Sequence, residues 1–305
     1  MIKVKIKDAR NPQILFLATF LILGIGTRDW TVRPEFVALT IGTCLLTQGI
    51  ADHLQHQLTQ QYPIQTSLAN GLNPGANSSP DQNLNPTQGT WRSALITALG
   101  LGLLLRANSP TTMILAGVCA IASKFLFRHQ GKHWFNPANF GIIMALTFTP
   151  DAWVSPGQWG TDWWYLLLFL GAGGLVLRQV GRWDTSVIFL ATYGGLEAIR
   201  SAWLGWSWDV YGHQLMSGSL LLFALFMLTD PRSIPDAPQG RGIWAMGLAG
   251  LTLILQHQFF LPTALFWALF CLSPLTLLLD QIWSAPRFVW QLPRLETLSG
   301  DSSGS

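Results

Sequence analysis

Ten apolar runs separated by short polar segments dominate the chain. They cover about residues 13–27, 35–51, 91–107, 111–127, 138–153, 162–178, 185–204, 213–229, 241–256 and 261–281. A transmembrane helix needs about 20 mostly apolar residues. Several runs are shorter, so either their polar flanks complete them or some of them are broken or re-entrant. The pattern predicts an all-α, polytopic membrane protein with about ten transmembrane helices.

Two stretches carry no apolar periodicity. Residues 52–90 contain NGLNPGANSSPDQNLNPTQGT, which is rich in Asn, Pro, Gly and Ser, and the chain ends in LSGDSSGS. Sequences of this kind do not bury a hydrophobic core. We therefore predict a single integral membrane domain over residues 1–297, with an inserted flexible cytoplasmic loop at 52–90 and a disordered tail at 298–305.

The distribution of Lys and Arg predicts the orientation. With a cytoplasmic N-terminus, 14 of the 18 Lys and Arg residues fall in cytoplasmic segments. The four that fall outside are Arg28, Arg33, Arg106 and Arg200. Cytoplasmic loops are enriched in positive charge, so both termini are predicted to be cytoplasmic. The membrane is either the plasma (inner) membrane or an internal one.

Composition narrows the function classes. Half of the residues are hydrophobic and 11% are charged, whereas soluble domains carry about 25% charged residues. The net charge is +3 and no basic run is interleaved with aromatic residues, so no nucleic-acid partner is expected. The three cysteines lie far apart inside apolar runs without a Cys/His spacing, so no metal site is expected.

The segment GKHWFNPANFG, residues 131–141, is the first candidate binding segment. Pro137 suits the first turn of a helix, and Asn136 before it can cap that helix. A helix N-terminus offers free N–H groups and a positive dipole end, which can bind a phosphate, a carboxylate or the edge of a flavin ring. Lys132, Asn136, Pro137 and Asn139 are therefore candidate cofactor ligands. The alternative is a plain capped helix start.

The eighth apolar run and its end supply the second candidate segment. Ser217, Gly218 and Ser219 are small residues that either permit close helix packing or leave room for a planar ligand. Pro231 ends the helix at the cytoplasmic surface, and Asp230 can cap the next turn or pair with a nearby Arg. This end is either a well-fixed loop or a place that holds a ligand or a partner subunit.

Two charged residues lie inside the seventh run. Glu197 lies about twelve residues from its cytoplasmic end, which is roughly 18 Å at 1.5 Å per residue. Ionisable groups at that depth are costly and are candidates for function. Arg200 follows at an i,i+3 spacing that allows an intramembrane charge pair. A structural pair near the outer interface is the alternative.

A weak internal repeat relates the third and eighth runs at an offset of 126 residues. Ser93, Leu95, Ala98, Leu99 and Arg106 fall on Ser219, Leu221, Ala224, Leu225 and Arg232. An offset of five spans places the two copies in opposite directions across the membrane. The spacing predicts two inverted five-helix repeats with a site between them.

Three segments together resemble a known family. WRSALITALGLGLLLRANSP, GKHWFNPANFGIIMALTF and SGSLLLFALFMLTDPRSIPDAPQGRGIWAMGLAGL are similar to the D subunit of the Rnf electron-transport complex and to the B subunit of the sodium-translocating NADH:quinone oxidoreductase, the RnfD/NqrB family. The resemblance implies ten helices in two inverted halves, a flavin cofactor, electron transfer coupled to ion movement, and partner subunits in a membrane electron-transport complex.

One feature departs from that family. Its members attach FMN to the threonine of a Ser/Gly-Ala-Thr type motif, which in the Rnf-type members lies between the fifth and sixth helices. Here that loop reads DAWVSPGQWGTDWW, so Thr161 lacks the motif. The chain therefore resembles a divergent branch, and any FMN or riboflavin is expected to be bound non-covalently.

The leading hypothesis is a flavin-associated membrane subunit of an electron-transport complex, with coupling to ion translocation as an open addition. The Asn and Ser groups of the candidate segments would hydrogen-bond the flavin edge, and the cofactor would carry the redox chemistry. One alternative is an inverted-repeat solute transporter or channel without redox chemistry. Another is an assembly protein that only anchors other subunits.

Overall fold

The computed structural model describes residues 10–28, 32–61, 86–129, 131–155 and 163–288. Its helices are α1 (Arg10–Leu23), α2 (Pro34–Gln61), α3 (Pro86–Leu104), α4 (Pro110–Leu126), α5 (Pro137–Phe148), α6 (Trp163–Val180), α7 (Trp183–Trp203), α8 (Trp208–Leu215), α9 (Gly218–Leu222), α10 (Pro238–His257), α11 (Ala264–Leu272) and α12 (Leu275–Ile282). Gly24–Arg28 and Phe223–Met227 are π-helical. The all-helical fold predicted from the apolar runs is confirmed.

Two short antiparallel strand pairs interrupt the helices. Strand β1 (Leu105–Arg106) pairs with β4 (Trp153–Val154), and β2 (Arg128–His129) pairs with β3 (Lys132–His133). Gly131 in the second pair has φ 83°, a left-handed conformation that glycine adopts without a steric penalty. Apolar periodicity cannot predict pairs of only two residues, so the sequence showed none of them.

Proline sets several helix starts. The helices α2, α3, α4, α5 and α10 each begin at a proline, a position where the missing N–H costs nothing and the fixed φ is already helical. Ser109 caps α4, its hydroxyl accepting from the amide of Thr111 at 3.3 Å. These local signals fix where the chain enters each helix.

The first half of the described chain packs around α4 and α5. A Cβ added at Gly141 would lie 2.5 Å from the carbonyl oxygen of Ala116 and 2.9 Å from Cβ of Ala120. Only glycine therefore allows α5 to approach α4 this closely. Small residues at helix contacts are typical of bundles whose backbones approach one another.

Helices α7 and α10 pack together in the second half, and the last span is broken. Helices α11 and α12 meet at an angle of 48° around Ser273 and Pro274, because proline cannot continue the hydrogen-bond ladder. The indole N–H of Trp244 on α10 donates to the carbonyl of Leu272 at 3.0 Å. The side chain of a neighbouring helix thus satisfies a carbonyl at the break.

Length and hydropathy identify fewer spans than the sequence predicted. Within the described ranges, one helix, Pro34–Leu58, is long and apolar enough to cross a membrane, and the bent pair α11–α12 would make a second. Five other apolar helices are shorter, with 10–17 residues. The number of membrane crossings therefore stays a prediction.

Several predicted boundaries differ from the observed ones. Helix α2 continues to Gln61 and α3 begins at Pro86, so both ends of the predicted loop at 52–90 are helical. The added part of α2 is polar, and the side chains of His53 and Gln57 hydrogen-bond to each other along its surface at 2.9 Å. Residues 62–85 of that loop, the tail at 298–305 and Thr161 lie outside the described residues.

Candidate functional site

Asn136 and Asn139 tie the start of α5 to the second half. Asn136 Oδ1 accepts from the amide of Asn139 at 3.1 Å, the cap expected from the sequence, and its Nδ2 donates to the carbonyl of Met227 at 3.3 Å. Asn139 is fully buried and donates to the carbonyl of Phe266 at 3.1 Å. Among the described residues, Asn139 Oδ1 has no hydrogen-bond partner. Pro137 occupies the first helical turn and is buried.

The π-helical segment Phe223–Met227 is the irregular backbone that Asn136 reaches. Ser186 on α7 donates to the carbonyl of Ala224 at 2.5 Å, and Thr229 donates to that of Leu225 at 2.9 Å. A π-segment leaves backbone groups out of the normal helical ladder. Side chains from α5 and α7 therefore hydrogen-bond to carbonyls of this segment.

An ionic cluster lies beyond this segment. It consists of Lys132, Arg182, Asp184, Asp236, Arg241 and Asp280. Lys132 Nζ lies 3.3 Å from Asp236 Oδ2 and also contacts Asp280 Oδ2. Asp280 Oδ1 accepts from the amide of Asp236 at 2.8 Å. Lys132 therefore anchors the loop between the π-segment and α10 to the last helix.

Two arginines complete the ionic cluster. Arg182 and Arg241 both donate to the carbonyl of Asp236, at 2.9 and 2.6 Å. Arg241 also donates to Asp184 Oδ2 through Nε at 2.8 Å and Nη2 at 2.6 Å. Burial raises the pKa of the Asp236 carboxyl, and the charge of Lys132 opposes that rise. Three positive and three negative side chains thus hold four segments together.

Asp230 and Pro231 lie in the same loop. The amide of Arg232 and the hydroxyl of Ser233 donate to the Asp230 carboxylate, both at 3.2 Å. Pro231 is buried. The carbonyl of Arg232 accepts from the amide of His133 at 3.0 Å, which joins this loop to strand β3. Asp230 therefore acts in this structure as a turn-forming residue.

Ser217, Gly218 and Ser219 lie at the other end of the eighth run. Ser217 caps α9, and its Oγ lies 2.8 Å from Oγ of Ser219. Asn136 instead reaches the carbonyl of Met227, ten residues later, which is about 15 Å along a helix. The structure thus brings Lys132 and Asn136 to residues 227–236 and Asn139 to Phe266, and it leaves the small-residue segment at the opposite end.

Glu197 has a partner that the sequence did not indicate. Its carboxylate is fully buried, and Oε1 lies 2.5 Å from Nε2 of His257 on the last turn of α10. Arg200 Nη1 lies 3.9 Å from Oε2. Tyr193 donates to Gln256 Oε1 at 3.0 Å beside them. We call Tyr193, Glu197, Arg200, Gln256 and His257 the Glu197 cluster.

The comparisons with known proteins agree with the resemblance in the sequence. The D subunit of the ion-translocating oxidoreductase complex of Halorhodospira halophila is 30% identical over 139 residues, which are 46% of this chain and 39% of that protein. The protein of the same name from Pseudomonas paraeruginosa is 26% identical over 226 residues, 54% of this chain and 65% of the relative. That of Yersinia enterocolitica is 24% identical over 301 residues, 72% of this chain and 76% of the relative.

These matches cover only part of this chain and part of each relative. The aligned part of this chain spans less than two thirds of the first two relatives. The alignment with the Pseudomonas protein covers 226 positions but only 54% of this chain, so the relative contains residues that have no counterpart here. A family model described as the NQR2, RnfD, RnfE family matches residues 151–288, which include the Glu197 cluster and most of the ionic cluster. The resemblance predicted from the sequence is confirmed: residues 151–288 of this chain are similar to the NQR2, RnfD, RnfE family.

Proposed function

We propose that this chain is a membrane subunit of an electron-transport complex that moves ions, and that it works with other subunits. The observation that carries the proposal is the match of β4 through α12 to the family, together with relatives named as the D subunit of an ion-translocating oxidoreductase complex. Inside that region α7 packs against α10, and α10 packs against α11.

The proposed arrangement has about ten membrane crossings with both termini in the cytoplasm. Lys132, Arg182 and Arg241 belong to three separate segments that the charge distribution assigns to the cytoplasm. They meet in one ionic cluster, which supports a shared side. Large apolar side chains such as Leu46, Leu167 and Ile199 are exposed, and exposed apolar surface of this kind suits contact with lipid.

The proposed halves are related as inverted repeats. Asp151, after α5, accepts from the amides of Asn108 and Ser109 just before α4, at 3.0 and 2.7 Å. Asp280, near the end of α12, accepts from the amide of Asp236 just before α10 at 2.8 Å. The same contact thus recurs at corresponding places, which supports the repeat.

A flavin fits the predicted ligand set poorly. The ammonium of Lys132 is paired with two carboxylates. The carboxylate of Asp230 accepts a hydrogen bond within its own turn, and the hydroxyls of Ser217 and Ser219 hydrogen-bond to each other. Asn139 Oδ1 is the buried acceptor of this set that lacks a partner among the described residues. A non-covalent FMN or riboflavin is proposed for the complex as a whole, and no binding role is assigned to these side chains.

Copurification and an absorption spectrum test the function. The tagged chain, extracted in mild detergent from its native membrane, should carry other subunits, and the complex should show a flavin spectrum released by denaturation. A colourless protein that purifies alone contradicts the proposal. Flux of a small solute into liposomes by that protein would favour the transporter or channel, which the irregular Phe223–Met227 backbone and the α11–α12 break also suit.

A further inference from the structure

The buried carboxylate of Glu197 is only partly satisfied by the protein. Oε1 contacts His257 Nε2 at 2.5 Å, whereas Oε2 has no hydrogen-bond partner in the described part of the chain. Arg200 Nη1 lies 3.9 Å from Oε2, beyond hydrogen-bond reach. Its guanidinium instead stacks 4.7 Å from the ring centre of Trp206. A fully buried carboxylate with one close partner depends strongly on the charge of that partner.

The contact between Glu197 and His257 contains a proton. A carboxylate oxygen and an imidazole nitrogen at 2.5 Å would repel each other if both presented lone pairs, so one N–H or O–H bond must lie between them. When an N–H bond lies in the contact, the second nitrogen of the imidazole carries a proton only in the charged form. The pair therefore has two protonation states that differ by one proton and keep the same contact.

The groups around this pair come from three helices. Helix α7 contributes Tyr193 and Arg200, and α10 contributes Gln256 beside His257 itself. Helix α8 contributes Tyr211, whose hydroxyl would lie 3.4 Å from a Cβ added at Gly194. Arg200 brings the positive charge of this set, so it disfavours a charged imidazole while Glu197 favours one.

His257 lies between the buried carboxylate and the protein surface. Its side chain is 18% exposed, whereas that of Glu197 is 0% exposed. It lies on the last turn of α10, where the helix dipole favours a positive charge. The chain after the helix end carries the exposed side chains of Phe259 and Phe260. Proton exchange with water can therefore occur through the imidazole without opening the helix pair.

We propose that Glu197 and His257 form a proton-binding site that opens to solvent through the imidazole. In the unloaded state a carboxylate and a neutral imidazole share one N–H bond. Loading takes a proton from hydronium, forms the second N–H bond of the imidazole and releases water, which gives a carboxylate–imidazolium pair. A hard cation such as Na⁺ prefers oxygen ligands, and the nearest partner of this carboxylate is a nitrogen. The site requires neither a flavin nor electron transfer.

Nitrogen NMR of the full chain in lipid nanodiscs tests the site. Histidine side chains are labelled with ¹⁵N, and His257 is identified by the signal that disappears in His257→Gln. We expect its imidazole to take up one proton as the pH is lowered. Glu197→Gln should require an about tenfold higher proton concentration for half-loading, because the stabilising carboxylate is lost. Arg200→Gln should require a lower proton concentration for half-loading, because a nearby positive charge is lost. This variant retains Glu197, so it tests the proposal even if Glu197→Gln does not fold.

Two matched controls isolate the pair. His213→Gln and Asp209→Asn change an exposed histidine and an exposed acid on the neighbouring α8, and both should leave the titration of His257 unchanged. An imidazole that does not titrate overturns the proposal, as does a titration that neither Glu197→Gln nor Arg200→Gln moves. A midpoint that shifts when Na⁺ replaces K⁺ would also overturn it, since the site would then bind sodium.

Discussion

Helices α7 and α10 are joined by an ionic contact at each end, and the two contacts differ in kind. At their N-terminal ends Arg241 contacts Asp184 inside the ionic cluster. Thirteen residues later on α7, roughly 20 Å away, Glu197 contacts His257. The first contact joins an aspartate and an arginine, whereas the second includes a histidine, whose charge depends on protonation.

The two ends also differ in how many partners share the charge. Asp236 alone interacts with Lys132, Arg182 and Arg241 through its carboxylate or its carbonyl. Glu197 has one hydrogen-bonded partner, His257, and an arginine at 3.9 Å. A cluster with several permanent charges of both signs fixes one arrangement of its segments, whereas a single titratable pair can change charge without breaking its contact. One end thus holds the helices in place, and the other can respond to pH.

Removing the lysine of the ionic cluster should have the largest effect on stability. Lys132→Met leaves Asp236 and Asp280 without their ammonium partner in a buried site. We expect a loss of about 3–5 kcal/mol of unfolding free energy, because an uncompensated buried charge remains. Arg178→Met, which removes an exposed positive charge, is the control and should change little. Reversible unfolding in detergent or nanodiscs measures both.

A double variant sharpens that result. Lys132→Met combined with Asp280→Asn removes one charge of each sign, so part of the stability should return. Strictly additive losses of unfolding free energy would show that Lys132 and Asp280 are not energetically coupled. The ionic cluster would then not act as a unit.

The second prediction compares the coupling of the two contacts across pH. Double-mutant cycles on Asp184 with Arg241, and on Glu197 with His257, should both give coupling energies on the order of 0.5–3 kcal/mol near pH 5. The first should stay constant up to about pH 9. The second should shrink as the imidazole loses its second proton, because its attraction to the carboxylate weakens. If the two coupling energies change with pH in the same way, the proposed difference between the two contacts is wrong.

The sequence predicted local features of these ends and missed distant partners. The cap of α5 by Asn136 and the i,i+3 spacing of Glu197 and Arg200 are local patterns, and both residue pairs are in contact. His257 lies 60 residues from Glu197, and no helical periodicity relates positions that far apart. A buried acid at depth did signal that some partner must exist.

Lys132 shows the same limit of prediction from sequence, because its partners are also distant in the chain. The sequence predicted Lys132 as a cofactor ligand because it is a basic residue just before a capped helix. Its carboxylate partners Asp236 and Asp280 lie 104 and 148 residues away, so only tertiary structure reveals that its charge is already matched. The apolar runs predicted the helices well, but they could not predict π-helical segments or two-residue strands, whose backbone geometry depends on tertiary hydrogen bonds.

A third prediction concerns the middle of α10, between the two contacts. Trp244→Phe removes the N–H that satisfies the Leu272 carbonyl while keeping an aromatic ring. We expect a loss of about 0.5–1.5 kcal/mol of unfolding free energy, because the Leu272 carbonyl loses its hydrogen-bond partner. The coupling energies at both ends should remain unchanged. A change in either coupling would mean that the ends communicate through α10 and are not independent.

The smallest expected effect tests whether the comparison extends to the other half of the chain. The hydrogen bond from the Thr112 hydroxyl, with those from the amides of Ser109 and Asn108, lowers the pKa of Asp151. Because its folded pKa lies below the unfolded value of about 3.8, the ionised carboxylate stabilises the folded state above that pH. This contribution disappears as pH falls through the lower folded value. The Tm of Asp151→Asn should therefore lie slightly below that of the unaltered protein at pH 7, and the gap should close below about pH 3. Asp209→Asn, an exposed carboxylate on α8, is the control and should show no such gap. If the gap persists in strong acid, Asp151 does not hold the entry to α4 through its charge, and its likeness to Asp280 at the entry to α10 would be one of position only.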